Sequence, residues 1–81
     1  MPSPTEKYCK LTTTKHSFSS KVDIEIDFGQ ESGHEKDEET VKTFTSVVDA
    51  FNYLATQGWE LSSSYQTVNA FEVSHILRRK G

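Results

Sequence analysis

The sequence predicts an α+β domain in which one helix packs on one face of a four-stranded antiparallel sheet. Three patterns lead to this prediction: alternating apolar and charged residues at 21–28, an amphipathic stretch at 46–58, and two further alternating stretches at 59–67 and 71–79. Alternation with period two indicates half-buried strands, whereas apolar residues spaced three and four apart indicate a helix. A weaker alternation at 6–14 comes first, so the expected element order is ββαββ.

The first two strands are expected to form a hairpin. In "KVDIEIDF" (21–28) the apolar residues are separated by acids, which is typical of a strand with one face in the core and one in water. "EKYCKLTTT" (6–14) alternates less cleanly, and "KHSFSS" between the two stretches suits a hairpin loop. Residues 1–5 are expected to be a disordered tail, so the single domain is predicted to span 6–80.

The stretch "GQESGHEKDEET" (29–40) is predicted to be a solvated, mobile acidic loop. It has two glycines, five acids and no apolar side chain. Its side chains offer oxygen and nitrogen donors for a cation, but their spacing does not match an EF-hand loop, so no metal site is predicted. "VKTF" (41–44) is expected to extend the second strand and to place Val41 and Phe44 in the core.

The stretch "SVVDAFNYLATQG" (46–58) predicts the helix, because its apolar residues fall on one helical stripe. Ser46, with Asp49 three residues later, is a capping-box-like start in which the Ser46 side chain accepts N–H groups of the first turn. Gly58 is expected to end the helix in the left-handed conformation. Trp59 then begins the third strand and turns its indole back under the helix, where it covers the end of the core.

The last two strands, "WELSSSYQT" (59–67) and "FEVSHILRR" (71–79), are expected to form a second hairpin. A right-handed crossover through the helix leaves room for the fourth strand beside the second, so the preferred strand order is 1-2-4-3. A single helix covers only one face of such a sheet. The other face is therefore expected to be open or shared with a partner.

Three blocks of the sequence resemble a small bacterial domain family, the domain of unknown function 4177. They are the hydrophobic-acidic alternation after Lys21, the junction "VVDAFNYLATQGWEL" (47–61), and the strand end "ILRRK" (76–80). The "EIDFGQ" and "YLATQGWE" blocks are similar to those of short hypothetical proteins of gut Bacteroidetes. The resemblance covers roughly residues 6–80 and implies a fold without an assigned activity. Compared with the shorter family members, this chain adds a strand and the acidic loop before the helix.

No catalytic constellation is visible, so the chain is expected to be neither an enzyme nor a cofactor-binding protein. Glycine-rich phosphate loops, HExxH and GxSxG elements are absent from the sequence. Cys9 with His16 or His75 is the thiol and imidazole combination considered, but Cys9 alternates with Leu11 as an inward residue and is expected to be buried and inert. A single cysteine excludes an internal disulfide, and no signal-like apolar run is present, so the expected location is cytoplasmic.

The net charge of −3 is unevenly distributed along the chain. Residues 21–40 hold eight acids and two lysines, while the rest of the chain is mildly basic. No continuous basic face is predicted, which argues against nucleic-acid binding. No stretch is long and apolar enough for a membrane span, so a membrane partner is not expected either.

The first functional hypothesis is a non-catalytic interaction or accessory domain. It binds an unidentified protein, or a second copy of itself as a homodimer, through the open sheet face or an edge strand. The candidate surface residues have no obvious place in a core served by one helix: Tyr8, Phe18, Tyr53 and Ile76. The alternative hypothesis is a small-ligand or nucleic-acid binder that uses the open face and the basic C-terminal end, with His75, Arg78 and Arg79 as ligand-face residues.

Overall fold

The computed structural model describes residues 6–16, 21–29 and 33–80, which form four strands and two helices. The strands are β1 (Glu6–Lys15), β2 (Val22–Asp27), β3 (Glu60–Gln66) and β4 (Glu72–Lys80), and the helices are α1 (Glu35–Lys42) and α2 (Val47–Thr56). All four strands belong to one antiparallel sheet, which confirms the predicted α+β class. The tail predicted at 1–5 lies outside the described residues.

The strand order is β2-β1-β4-β3, so the predicted order 1-2-4-3 is wrong. The central strand β1 pairs with β4 from Glu6 to Thr14 and with β2 from Lys10 to Lys15. The prediction assumed a right-handed crossover between parallel strands. In the observed sheet β2 and β3 lie at opposite edges and run antiparallel, so that rule does not govern them. The edge position also suits β2, because its acidic side chains reach water there.

Helix α1 replaces the second half of the loop predicted at 29–40, so both that loop and the one-helix layout are wrong from Glu35 onward. The first turn of α1 is acidic, which the positive end of the helix dipole favours. Lys42 in the last turn forms an i,i+4 ion pair with Glu38, and the Nζ and Oε1 atoms are 3.0 Å apart. Val41 is completely buried and anchors α1 to the core, so "VKTF" begins in a helix and does not extend β2.

Helix α2 is bounded by Ser46 and Gly58. Ser46 occupies the N-cap position with extended backbone, but its side chain makes no capping hydrogen bond, which corrects the predicted capping box. At the other end Gly58 has a φ of 89°, and its N–H donates to the Ala55 carbonyl at 3.1 Å. The Trp59 N–H donates to the Leu54 carbonyl at 3.0 Å. These two bonds are the Schellman motif, and they end the helix at the glycine that the sequence analysis singled out.

The core lies between one face of the sheet and the two helices. Trp59 is 3% exposed and packs against Phe28, with ring centroids 5.7 Å apart. Among the described residues, one buried cluster contains Cys9, Leu11, Ile24, Ile26, Phe28, Val41, Ala50, Leu54, Trp59 and Leu77. Burying a large apolar side chain of this kind contributes about 1.5–3 kcal/mol to the free energy of folding. Over the described ranges, neither helix has the length and apolar character needed to cross a membrane.

Candidate interaction surface

The sheet face opposite the core carries the side chains that alternate with the buried ones, and we call it the open face. The strand registers place these side chains in rows across the sheet, and most of them are exposed. The rows are Tyr8, Arg78 and Glu60; Asp27, Lys10, Ile76 and Ser63; Glu25, Thr12, Ser74 and Tyr65; and Asp23, Thr14 and Glu72.

Three apolar side chains cross the open face diagonally from β1 through β4 to β3: Tyr8, Ile76 and Tyr65. Tyr8 is 52% exposed, Tyr65 is 49% exposed, and Ile76 between them is half-buried. Diagonal neighbours on a sheet lie within reach of aromatic and other long side chains, so the three form a continuous apolar band. We call this band the diagonal stripe.

Two basic residues beside the diagonal stripe stand opposite acids. Arg78 is in register with Glu60, and Lys10 is in register with Asp27. Opposite charges on directly facing residues of neighbouring strands attract each other. The diagonal stripe therefore lies among matched charges and not on a continuous basic field.

Hydroxyl groups line the middle of the open face, and two clefts open beside the sheet among the described residues. Thr12 Oγ1 and Ser74 Oγ are 3.4 Å apart, and Ser74 is buried. A cleft of about 180 Å³ lies over β1 and β2, and another of about 190 Å³ lies between β2 and α1. Both are smaller than the roughly 300–1,000 Å³ of typical small-molecule sites. Neither cleft favours a drug-sized ligand.

The edge strand β3 is exposed along its whole length. All seven of its residues are exposed, including Leu61 at 52%. A bulge between Leu61 and Ser63 shifts the alternation, so that Leu61 is in register on the core side while Ser63 and Tyr65 are on the open side. An edge strand presents backbone N–H and C=O groups with which another strand can pair.

Tyr53 was predicted as a surface residue, but it joins the two helices. Its hydroxyl donates to Asp37 Oδ1 at 2.7 Å, and its ring is tilted against Phe44 with centroids 5.9 Å apart. The hydrogen bond to the Asp37 carboxylate raises the pKa of Tyr53, and burial adds to the rise. Phe18 lies outside the described residues. Of the four predicted surface residues, the structure therefore brings Tyr8 and Ile76 together on one surface.

His75 lies on the core side of β4, away from the open face to which the ligand hypothesis assigned it. Its Nδ1 is 2.6 Å from Ser64 Oγ, and its ring meets the Phe51 ring edge-on at 5.0 Å. Burial lowers the pKa of His75, because it disfavours the imidazolium. A serine beside a histidine is one part of a catalytic triad, but no described carboxylate orients this imidazole, and the pair lines neither cleft.

Arg78 and Arg79 lie on opposite faces of the sheet, because they are neighbours on one strand. Arg78 is in register with Tyr8 on the open face. The guanidinium carbon of Arg79 lies 4.7 Å from the centre of the Trp59 ring, and its Nη1 donates to the Gln57 carbonyl at 3.3 Å. The predicted ligand face of His75, Arg78 and Arg79 is therefore not one surface.

Cys9 is in the core at 3% exposure, and burial raises the pKa of its thiol to about 12, against a smaller opposing effect of the Arg79 charge. A thiol with this pKa is not a nucleophile at neutral pH. His16, one of the two bases considered for it, has its Nε2 2.7 Å from Asp23 Oδ2. Across the ranges that the structure describes, no three His, Cys, Asp or Glu side chains converge as a metal site.

Tyr65 was missed by the sequence reasoning. Strict alternation from Trp59 puts Tyr65 on the same face as Leu61, and the bulge breaks that alternation. The signal for the bulge is weak: the three serines at 62–64 offer no apolar side chain that would specify a register.

Comparisons with protein-family models, with curated proteins and with solved structures find no match to this chain.

Proposed function

We propose that this chain is a non-catalytic interaction domain that binds a protein partner through β3 and the diagonal stripe. The observation that carries the proposal is the continuity of these two features, because Tyr65 belongs to both. A strand added along β3 hydrogen-bonds to the β3 backbone and at the same time covers Tyr65. The rest of the partner can then lie over Ile76 and Tyr8, which are two and three strands away from the added strand on the same face.

The composition of this surface fits a protein partner. Protein interfaces are enriched in aromatic residues at their centre and have a polar, solvent-accessible rim. The two tyrosines of the diagonal stripe supply the aromatic area, and the matched charges at Lys10 and Arg78 lie at its margins. The arrangement thus resembles a small interface centre with its rim.

A nucleic-acid ligand is the rival for the same face, because Tyr8 and Tyr65 can stack on bases. Its phosphates need basic groups that are not already matched by acids. Lys10 and Arg78 each face an acid across the sheet, and β2 adds further acids along one side of the open face. The charge pattern therefore favours a protein over a nucleic acid.

Affinity capture with matched variants tests the proposal. Wild-type protein, Tyr65→Ser and Val48→Ser are immobilised at equal density and exposed to a lysate of cells that express the protein, and the retained proteins are quantified by mass spectrometry. Val48 is the control because it is an apolar residue, 60% exposed, on α2 and not on the diagonal stripe. We expect a partner that the wild type and Val48→Ser retain and that Tyr65→Ser loses by more than about tenfold, since central aromatic residues dominate interface energetics.

Two outcomes contradict the proposal. Retention of the same proteins by all three baits would show that the diagonal stripe binds no protein. Binding of labelled single-stranded RNA that depends on Tyr8 and weakens steeply with salt would favour the nucleic-acid rival.

A further inference from the structure

The edge strand β3 lacks most of the protection that natural edge strands have. Such strands are guarded by charges, especially lysine, by proline, by bulges, or by cover from a loop or helix. From Leu61 to Gln66, β3 has no charge and no proline, and all its residues are exposed. Its bulge lies at Leu61–Ser63, which leaves the stretch from Ser63 to Gln66 regular and open to pairing.

The opposite edge strand, β2, is protected in two ways. It carries Asp23, Glu25 and Asp27 on the open face, and the Val22 N–H at its start donates to the Thr45 carbonyl at 3.0 Å. Pairing of two β2 strands would set acids near acids, which is unfavourable. The sheet is therefore guarded against self-pairing at β2 and unguarded at β3.

We propose that the occupant of β3 is a second copy of this chain, paired antiparallel through β3 so that the two sheets become one. The inference rests on the proposed function, because it names the partner of the same surface. Any antiparallel register within Leu61–Gln66 sets only leucine, serine, tyrosine and glutamine side chains opposite one another, so no like charges meet. Identical strands related by a two-fold axis form a closed dimer and not an open fibre.

The same two-fold axis joins the two diagonal stripes. An axis perpendicular to the sheet keeps both open faces on one side of the dimer. Because Tyr65 lies on β3, the stripes of the two copies meet at the joint and form a longer apolar band. Each aromatic pair across the joint stabilises the dimer in addition to the backbone hydrogen bonds between the strands.

The dimer is expected to dissociate on dilution. Pairing along one strand of seven residues buries less than the roughly 800 Å² per partner of a standard stable interface. The dimer should therefore be weak, and the apparent mass should rise with concentration.

Light scattering across a concentration series is the first test. Wild type and Val48→Lys are expected to move from the monomer mass towards twice that mass, whereas Tyr65→Lys stays monomeric because a lysine guards the edge in each copy. Val48→Lys adds the same charge at an exposed site outside the joint. A circular dichroism melt of Tyr65→Lys establishes that this variant is folded.

Cysteine crosslinking locates the joint. Cys9 is buried, so a cysteine introduced at the surface is the accessible thiol. Ser63→Cys, Ser64→Cys, Tyr65→Cys and the control Val48→Cys are oxidised at a concentration at which the wild type is partly dimeric. One of the three β3 variants should form a disulfide dimer at least about tenfold faster than Val48→Cys, because the residue at the two-fold axis meets its own copy within disulfide distance.

Several results overturn the dimer: a constant monomer mass at all concentrations, equal crosslinking of all four variants, or a dimer that Tyr65→Lys leaves intact. Failure of the dimer does not refute the proposed function, because capture of a different protein through Tyr65 needs no self-association. If only that capture is lost, the dimer is still tested by the light-scattering measurement of its mass.

Discussion

Replacement of Gly58 tests how α2 is joined to β3. The φ of Gly58 is 89°, and the left-handed conformation costs an L-residue roughly 1–2 kcal/mol relative to glycine. Alanine also restricts the unfolded chain, which offsets about 0.4–1 kcal/mol of this cost. A Cβ at this position would lie 3.3 Å from Arg79 Cδ and 3.5 Å from Arg79 Cγ, so the Arg79 side chain must shift.

The shift of Arg79 adds a second cost. A displacement of a few tenths of an ångström at Arg79 Cδ disturbs the contact of the guanidinium with the Trp59 ring, and complete loss of an exposed cation–π contact would cost about 0.5–1 kcal/mol. Together the costs predict that Gly58→Ala lowers the free energy of unfolding by about 1–2 kcal/mol, and that Gly58→Val lowers it further because its side chain is β-branched. For a domain of this size the alanine variant should melt roughly 5–15 °C below the wild type.

The assay is thermal and urea unfolding followed by the fluorescence of Trp59, the one tryptophan of the chain. Gly29→Ala is the matched control: Gly29 has a φ of 75°, and a Cβ there would meet nothing within 4 Å. Both alanine variants share the backbone cost, so their difference isolates the contribution of Arg79. An unchanged midpoint for Gly58→Val would refute the left-handed end of α2, and equal losses for the two alanine variants would refute the contribution of Arg79.

Three further predictions use groups inside the fold. Because burial lowers the pKa of His75, its stabilising effect should be complete above the unfolded pKa of about 6.5 and be lost as the pH falls through the folded pKa; urea midpoints of wild type and His75→Gln between pH 7.5 and 5 measure this, and parallel curves would contradict it. Cys9 should react with iodoacetamide at the rate at which the protein unfolds, and rapid alkylation of the folded protein would show that the thiol is accessible. Tyr53→Phe removes the 2.7 Å hydrogen bond to Asp37 and should lower the free energy of unfolding by about 0.5–1.5 kcal/mol. The control Tyr65→Phe should change it by less than about 0.5 kcal/mol when both are measured at a concentration at which the protein is monomeric.

The parts of the fold that the sequence predicts are those with strong local patterns. The alternation of acids and apolar residues in β2 allows only one face of the strand to be buried, because a shift of its pairing register by one residue would bury three carboxylates. Gly58 has the conformation that its position after the last apolar residue of the helix required. In both places one local interaction is strong enough to decide the structure.

The parts that the sequence did not predict depend on distant residues. Helix α1 has one buried residue, Val41, and no apolar stripe, so its helical form depends on packing against the rest of the core. The place of β1 at the centre of the sheet is decided by its pairing with β4, whose residues lie 58 to 74 positions away from their β1 partners along the chain, and no local pattern encodes this pairing. The bulge at Leu61–Ser63 likewise has no local sequence pattern that predicts it, and it places Tyr65 on the open face. Of the three side chains of the diagonal stripe, the sequence indicated Tyr8 and Ile76 as surface candidates but not Tyr65.

The pairing of β1 with β4 also has a consequence for how the domain folds during synthesis. The first and last strands are neighbours at the centre of the sheet, and Glu6 is in register with Lys80. A ribosome must therefore release almost the whole domain before β1 can pair with β4. Until then, Leu11 and Cys9 on the core side of β1 lack the neighbouring side chains of β4. Pairings of such long sequence separation slow folding. The β1–β2 hairpin is expected to form first. The domain is expected to complete its fold only after β4 has left the exit tunnel and paired with β1.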